Sequence, residues 1–552
     1  MFTSARKAAK SKILSKGSRS DEVLTLSSQC KSRLALVSVI LTIVTGLPER
    51  YSLSQLYDGL ELSNESQSKV DDLQNLLILY SCLSNSGRLE RENGDDENIK
   101  RLSLWISKVI LPDKSLNGQD AISHGMPSFL STSLPSLADI SIASREKALS
   151  LTHYKAALGL QSLQILITQL SSPRPSTIDP KIIITLITFS STMDPWTTPA
   201  LLSLSTSLLS LYTPQTHSQD FILILLNTFI RPLFSHSKPS TITSSGRKAM
   251  PSSAPLPKHD VAAERTSKPW KYETVYAVRV LAWVVEQAPG EIISQNWPLF
   301  PPPLLTLLDD ASTPFRATGS HLLSAFLPRL TSKLLTQSGI GEVFEDALLP
   351  TLLYLPSLTP VDESLRLLSG AYAALDVLCD VRYEAGEKAR MEFLDRVMRM
   401  GVFMGYHHAS EHPAVVQLLL ERTRVLVEKM GIHAVKHLKD LIPILSTTLT
   451  DPFAPSNPPL LLSAIRALQT ILLNCWPRIS EPKYKMEIIK ALSVCWKDVS
   501  ESEDRGRLEE VQKELKVAGR LFVSAVEGAV DIRAELEPLV EVNKGVGIMF
   551  GV

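Results

Sequence analysis

Through most of the chain, apolar residues return at steps of three and four, the spacing that aligns side chains on one face of an α-helix. Val361, Leu365, Leu368, Tyr372, Leu375 and Cys379 form the clearest such series. Ahead of it stands Thr359-Pro360-Val361-Asp362-Glu363. This reads as a hydroxyl cap, a proline at the first helical position, and two acids at the positive end of the helix dipole. The next segment turns Met391, Leu394, Val397 and Met398 inward, with Glu392, Asp395, Arg396 and Arg399 between them. A third ends at Lys429-Met430-Gly431, where a cation and a glycine suit a helix C-terminus. Such segments follow one another at about 20-residue intervals, so helix pairs recur at about 40, the period of HEAT and armadillo arrays. The expected fold class is therefore all-α: a HEAT/armadillo-like helical-repeat solenoid, or α-α superhelix.

Two stretches sharpen that expectation. Pro301-Pro302-Pro303-Leu304-Leu305-Thr306-Leu307-Leu308-Asp309-Asp310 is followed by Pro314 and Arg316. Leu441-Ile442-Pro443 runs to Thr450-Asp451-Pro452 and then to a helix containing Arg466. Both resemble the HEAT pattern of proline in the first helix, aspartate at the turn and arginine entering the second. In the second stretch the turn is longer and the arginine match weaker. The first half of the chain has a less regular pattern. Leu158–Leu170, Leu201–Leu211 and Phe221–Phe234 read as helices. Ile182–Phe189 is β-branched enough for a strand, yet no hairpin turn or alternating partner accompanies it, so it too is expected as a buried helix.

Four regions follow from these patterns. Residues 1–20 hold six cations and no acid, and read as a basic disordered arm, with a mitochondrial presequence as the alternative. Residues 21–235 form a helical region of divergent repeats. The stretch 236–270 is rich in Ser, Pro and Thr and has no helical period, which predicts a disordered linker. Residues 271–552 carry the HEAT-like repeats. Lesser interruptions are expected at Arg88–Arg101, dense in charge, and at Ser171–Pro180.

Composition narrows the function. Hydrophobic residues make up 44 % but aromatics only 6 %, so burial must come from Leu, Val, Ile and Ala, as in helix-on-helix packing. Lys plus Arg and Asp plus Glu both number 57, and no basic stripe is visible, which disfavours nucleic acid as a direct ligand. Cys30, Cys82, Cys379, Cys475 and Cys495 include no ligand-spaced pair, and read as small buried hydrophobes. The longest apolar run, Leu34–Leu47, is broken by Ser38, Thr42 and Thr45 and is too short for a bilayer span, so no membrane partner is expected.

Catalytic signatures are missing: there is no Gly-rich phosphate loop, no GxSxG elbow and no kinase pattern. His433 and His437 share one helical face, but the residue after the first is Ala434 rather than a glutamate. His407, His408 and His412 gather near Glu411 in an expected loop. Asp309 and Asp310 diverge as neighbours on a helix must, and suit a turn better than a catalytic pair. Trp476-Pro477-Arg478 is an unusual cluster at an expected helix end. Its structural reading has Trp476 filling an inter-repeat groove while Pro477 stops the helix. In its functional reading Trp476 and Arg478 anchor a partner.

A series of short motifs then comes in order: Trp297-Pro298 with the Pro301–Asp310 run, Val343-Phe344-Glu345-Asp346-Ala347-Leu348, and Tyr354-Leu355-Pro356. It continues through Gly431-Ile432-His433-Ala434-Val435-Lys436-His437-Leu438-Lys439-Asp440-Leu441, Asp451-Pro452-Phe453 and Asn474-Cys475-Trp476-Pro477-Arg478-Ile479. Over roughly Trp270 to Trp496 this resembles the Tel-two-interacting protein two family, subunits of the Triple-T complex. The resemblance implies a non-enzymatic HEAT scaffold without cofactor or metal, acting with Tel-two and Tel-two-interacting protein one. It implies phosphatidylinositol-3-kinase-related kinases as clients, and the ninety-kilodalton heat-shock chaperone with its R-two-T-P adaptor as indirect partners. Membership of the ASTRA assembly and a cytoplasmic and nuclear location go with it. Trp476, Arg478, Lys436 and Lys439 are the expected partner-binding residues. Two other readings compete: a karyopherin-like HEAT adaptor for nuclear transport, which the balanced charge disfavours, and a hydrolase built on the histidine clusters.

Overall fold

The computed structural model describes residues 2–13, 40, 42–60, 62, 69–92, 94–116, 137–171, 175–237, 239, 241–243, 245–249, 261–502, 505–528 and 531–552. They fall into two compact units: Met1–Lys238 with Ser253–Ile292, and Pro239–Ser252 with Ile293–Val552.

The first unit is built from α1 (Thr3–Ile13), α2 (Leu53–Gly59), α3 (Lys69–Ser84), α4 (Asp95–Ile110), α5 (Leu137–Ile165), α6 (Pro180–Thr188), α7 (Pro199–Ser210), α8 (Gln219–Ile224), α9 (Val261–Ser267) and α10 (Ala277–Gln287). Helix α3 packs on α1 and α5, while α6 packs on α4, α7 and α10. The β-branched run Ile182–Ile184 is helical for two reasons. Asp179 accepts the Lys181 amide as a cap ahead of Pro180, and Ile182, Ile183, Leu186 and Ile187 are buried against the helices around them. Tertiary burial outweighs the few tenths of a kcal/mol of propensity that β-branching costs. Among the described residues, the only strands are the two-residue parallel pair Tyr51–Ser52 and Leu89–Glu90.

Several sequence expectations change here. The basic arm is partly structured: α1 buries Phe2, Ala5 and Ala9, and Phe2 meets the Tyr51 ring edge-on at 6.1 Å. The three-and-four spacing of Phe2, Ala5 and Ala9 does this; residues 14–20 lie outside the described residues. Charge-dense 95–101 opens α4, with Asp95, Asp96 and Glu97 in its first turn at the positive end of the dipole. Of the run Leu34–Leu47, only 40 and 42–47 are described, with Ile43 and Leu47 buried. Cys30 also lies outside the described residues, whereas Cys82, Cys379, Cys475 and Cys495 are buried free thiols.

The expected linker 236–270 is ordered at both ends. Trp270 is fully buried, stacks on Phe234 at 5.2 Å and donates its indole N–H to Ser237 at 3.1 Å. Near the other end, Ile242 and Lys248 form an antiparallel bridge, and the Lys248 amide donates to Ser338 O at 3.0 Å. Single large anchors in a polar stretch carry no periodicity, so pattern reading passes over them; residues 250–260 lie outside the described residues. Residues 271–292 belong with the first unit rather than with the second.

The second unit is a stack of helix pairs: α11 (Pro301–Leu308) with α12 (Thr313–Phe326), and, after α13 (Ser332–Ser338), α14 (Ile340–Leu348) with α15 (Val361–Arg382). Then come α16 (Lys388–Val397) with α17 (Pro413–Met430), α18 (Leu438–Leu449) with α19 (Pro458–Ile479), and α20 (Pro482–Glu501) with α21 (Arg505–Val526). The short α22 (Ile532–Val542) and α23 (Lys544–Phe550) follow. Second helices pack in sequence, α12 on α15, α15 on α17, α17 on α19 and α19 on α21. First helices do likewise where α11 meets α14 and α18 meets α20. This is the all-α, HEAT-like solenoid fold.

The first HEAT motif forms as read. Buried Asp310 takes the Ser312 amide on its carboxylate at 2.9 Å, and Arg316 Nε donates to the Asp310 carbonyl at 3.2 Å, which locks the α11–α12 turn. In the second, Asp451 accepts the Phe453 amide at 2.9 Å, but Arg466 turns away to α21. Ahead of α15, Pro360 rather than Thr359 takes the boundary position and no side chain caps it, although Asp362 and Glu363 do occupy the first turn.

Gly319 lets α12 lie directly on α11. A Cβ there would stand 2.9 Å from Leu307 Cβ and 3.0 Å from the Leu308 amide nitrogen. Gly319→Val is expected to lower the unfolding free energy by about 1–3 kcal/mol through overpacking, measured by denaturant titration. Gly506→Ala, whose Cβ would meet nothing within 4 Å, should be neutral to mildly stabilising.

Candidate docking surface

Polar links tie each layer of the second unit together. Along the second helices, Thr313 donates to Glu363, and Lys429 Nζ reaches Asp380 Oδ2 at 2.9 Å and the Asp376 carbonyl at 3.2 Å. Ser463 donates to Glu421 at 3.3 Å, Arg466 to Glu510 at 2.7 Å and Gln469 to Glu514 at 2.8 Å. Glu345 on α14 joins Arg382 of α15 at 3.0 Å and Arg396 of α16 at 2.6 Å; Asp395 joins Lys436 at 2.8 Å, and Ser446 of α18 joins Glu487 of α20. Burial pushes the Glu345 carboxyl up despite its two arginines, and pushes Asp376 up despite Lys429 and Arg422. The exposed pairs among them, such as Arg466–Glu510, are worth at most about 1 kcal/mol each, so they set register more than they hold the stack together.

That register brings an apolar row to the surface. Arg466–Glu510 and Gln469–Glu514 bridge α19 and α21 across 44 and 45 residues, so the same offset puts Leu473 beside Val517. Gly431, next to Ile432, faces the Asn474 side chain, where a Cβ would lie 4.0 Å from Oδ1. Ile432, Leu473 and Val517 therefore stand at one level across three neighbouring elements, and Trp476 stands one helical step beyond Leu473. They are 50, 61, 41 and 58 % exposed, respectively. An open groove of about 500 Å³ adjoins the row, lined by Arg424, Arg466, Gln469, Thr470 and Glu514 among others.

The expected partner-binding residues fare differently. Trp476 does not fill an inter-repeat groove, and Pro477 does not end the helix: α19 runs through it to Ile479. A proline in the last turn removes only its own N–H, and the outer face of the helix tolerates this. Arg478 is held by Glu481 three residues on, with Nη2–Oε2 at 3.1 Å. Lys436 is committed to Asp395, while Lys439 is exposed. Near Trp476 the surface also exposes Leu473 and Val517, with Ile432 close to Asn474, which the sequence reading missed. Leu473 sits inside Ile471-Leu472-Leu473, where every position is apolar and periodicity cannot show which one faces out.

Among the described residues, no group of three or more His, Cys, Asp and Glu side chains is placed to hold an ion. His407 and His408 lie at the end of the helix Met404–Ala409, with ring centroids 4.9 Å apart. His433 is exposed, but His437 is buried with Nε2 2.9 Å from Asp395 Oδ1 and its ring against Phe403 at 5.5 Å. Burial lowers the His437 pKa, with Lys436 and Arg399 adding to the effect and Asp395 opposing it. Burial also pushes Asp395 up, but the hydrogen bonds from Lys436 and Arg399 together hold it below the usual carboxylate value. Among the described residues, α19 is long and apolar enough to cross a membrane by length and composition; it packs here against α17, α18 and α21.

A histidine whose folded value lies below the unfolded one, about 6.5, binds fewer protons when folded. Its site therefore loses stability as pH falls below about 6.5. Between pH 7.5 and 5.5 the thermal midpoint of the wild type should drop further than that of His437→Gln. Equal drops in the two proteins, followed by circular dichroism, would place the pH sensitivity elsewhere.

A model of the Tti2 family matches residues 182–456, from α6 in the first unit to the turn before α19. The match includes Ile432 but stops short of Leu473, Trp476 and Val517. On this match, in agreement with the ordered motifs from Trp297 onward and with the stacked helix pairs that they form, the chain belongs to the Tti2 family.

Proposed function

We propose that the chain is a non-enzymatic scaffold subunit of a Triple-T co-chaperone assembly. In that role it holds Tel-two and Tel-two-interacting protein one, and supports the folding and stability of phosphatidylinositol-3-kinase-related kinases. The ninety-kilodalton chaperone and its R-two-T-P adaptor act through that assembly rather than on this chain directly. Cytoplasm and nucleus, where such kinases are made and work, are the proposed locations. The family match over residues 182–456 carries this reading. An array of stacked helix pairs with apolar side chains left open on one layer supports it, because extended repeat surfaces are built for gripping other proteins. Trp476, Arg478, Lys436 and Lys439 are proposed as partner contacts.

Affinity purification of the tagged chain with quantitative mass spectrometry tests the proposal. Tel-two, Tel-two-interacting protein one and at least one related kinase should be recovered, and depletion of the chain should lower the steady-state level of that kinase. Recovery of none of them would refute it. Trp476→Ala should keep its helical spectrum, since the ring is mostly in solvent. Its partner affinity should fall by about 2 kcal/mol, roughly 30-fold, if the ring is a contact hot spot.

A further inference from the structure

We propose that the row Ile432, Leu473, Trp476 and Val517, with the groove beside it, receives an acidic amphipathic helix supplied by a partner chain. This rests on the docking reading above and specifies what docks. The row crosses three neighbouring elements at one level. Packed helices lie 8–10 Å apart, so it spans roughly 16–20 Å, the length of about 11–13 helical residues. A helix of that length with apolar residues at steps of three and four would meet each of the four side chains.

Charge selects the sign of the partner. The chain as a whole is neutral, and around the row Lys436 is taken by Asp395, Arg478 and Lys483 by Glu481, and Glu510 and Glu514 by Arg466. Lys439, Lys513 and Arg520 remain exposed. Lys516 leans over the Trp496 ring at 5.7 Å, whereas Lys513 and Arg520 are exposed on either side of Val517. An apolar strip edged by cations complements a helix that carries leucines on one face and glutamates beside them. A phosphate backbone fits poorly, because the centre of the surface is apolar.

Fluorescence anisotropy on the full chain tests this. The probe is a fluorescein-labelled synthetic 14-residue helix of Leu, Ala and Glu, with Leu at steps of three and four. Its counterpart carries Lys in place of Glu. The acidic peptide should bind at least tenfold more tightly than the basic one, and more weakly at 300 mM than at 50 mM salt. Leu473→Asp and Trp476→Ala should each weaken it at least tenfold while the helical spectrum stays intact. Lys513→Glu combined with Arg520→Glu should abolish the preference for the acidic peptide. Equal binding of the two peptides, or an affinity that Leu473→Asp leaves unchanged, would overturn the proposal. So would sedimentation showing a dimer that Leu473→Asp dissolves, since a second copy would then occupy the row. Purification from cells separates the two levels. Should the wild type recover neither Tel-two nor Tel-two-interacting protein one, the scaffold reading fails whatever the peptide does. Should Leu473→Asp recover them as fully as the wild type does, the docking helix fails alone.

Discussion

A pair of short helices cannot hide its own leucines. In the second unit α15 buries Leu367, Leu368, Ala371, Tyr372, Leu375 and Leu378, which point toward more than one neighbour, so α15 must be flanked by α12 on one side and α17 on the other. Burial at about 25 cal/mol per Å² of apolar surface rewards each added pair only if the next is already in place. Stacking is thus the constraint from which the rest follows: the two layers, the shared registers, and the close approach at Gly319 that lets α12 meet α11.

Once stacking is required, register remains to be chosen, and apolar faces choose it poorly because leucine against leucine is forgiving. Polar links between neighbouring helices do this instead. Arg466 reaches Glu510 and Glu514 across the seam between α19 and α21, and Glu345 serves α15 and α16 at the same time. His437 beside Asp395 belongs to the same system: a histidine at metal-like spacing proves to be a buried strut between α16 and the segment 431–437 that leads into α18.

The repeating fold was legible because its signal is distributed over many residues. Asp310 and Arg316 at the first HEAT turn, the inward set Leu394, Val397 and Met398, and the helical fate of Ile182–Thr188 all follow from local pattern and capping. What escaped rests on single contacts between distant residues. Trp270 on Phe234, and Lys248 on Ser338, order a stretch whose composition reads as linker. The candidate surface was half legible. Trp476 and Arg478 stand out as residue types, but Leu473 and Val517 are unremarkable in sequence and gain meaning only from the offset between α19 and α21.

The placement of the row on α19 follows from the same economy of contacts. Links from α19 to its neighbours leave Ser463, Arg466 and Gln469, all ahead of Leu473. Beyond them the outer face carries Leu473 and Trp476, which neither cross-link nor pack inward. Exposed apolar area of this kind brings the fold no stability, and it raises the risk of non-specific association. Where a solvent-facing position of a repeat could as easily hold a lysine, a leucine and a tryptophan one helical step apart make physical sense as area kept for burial by another chain.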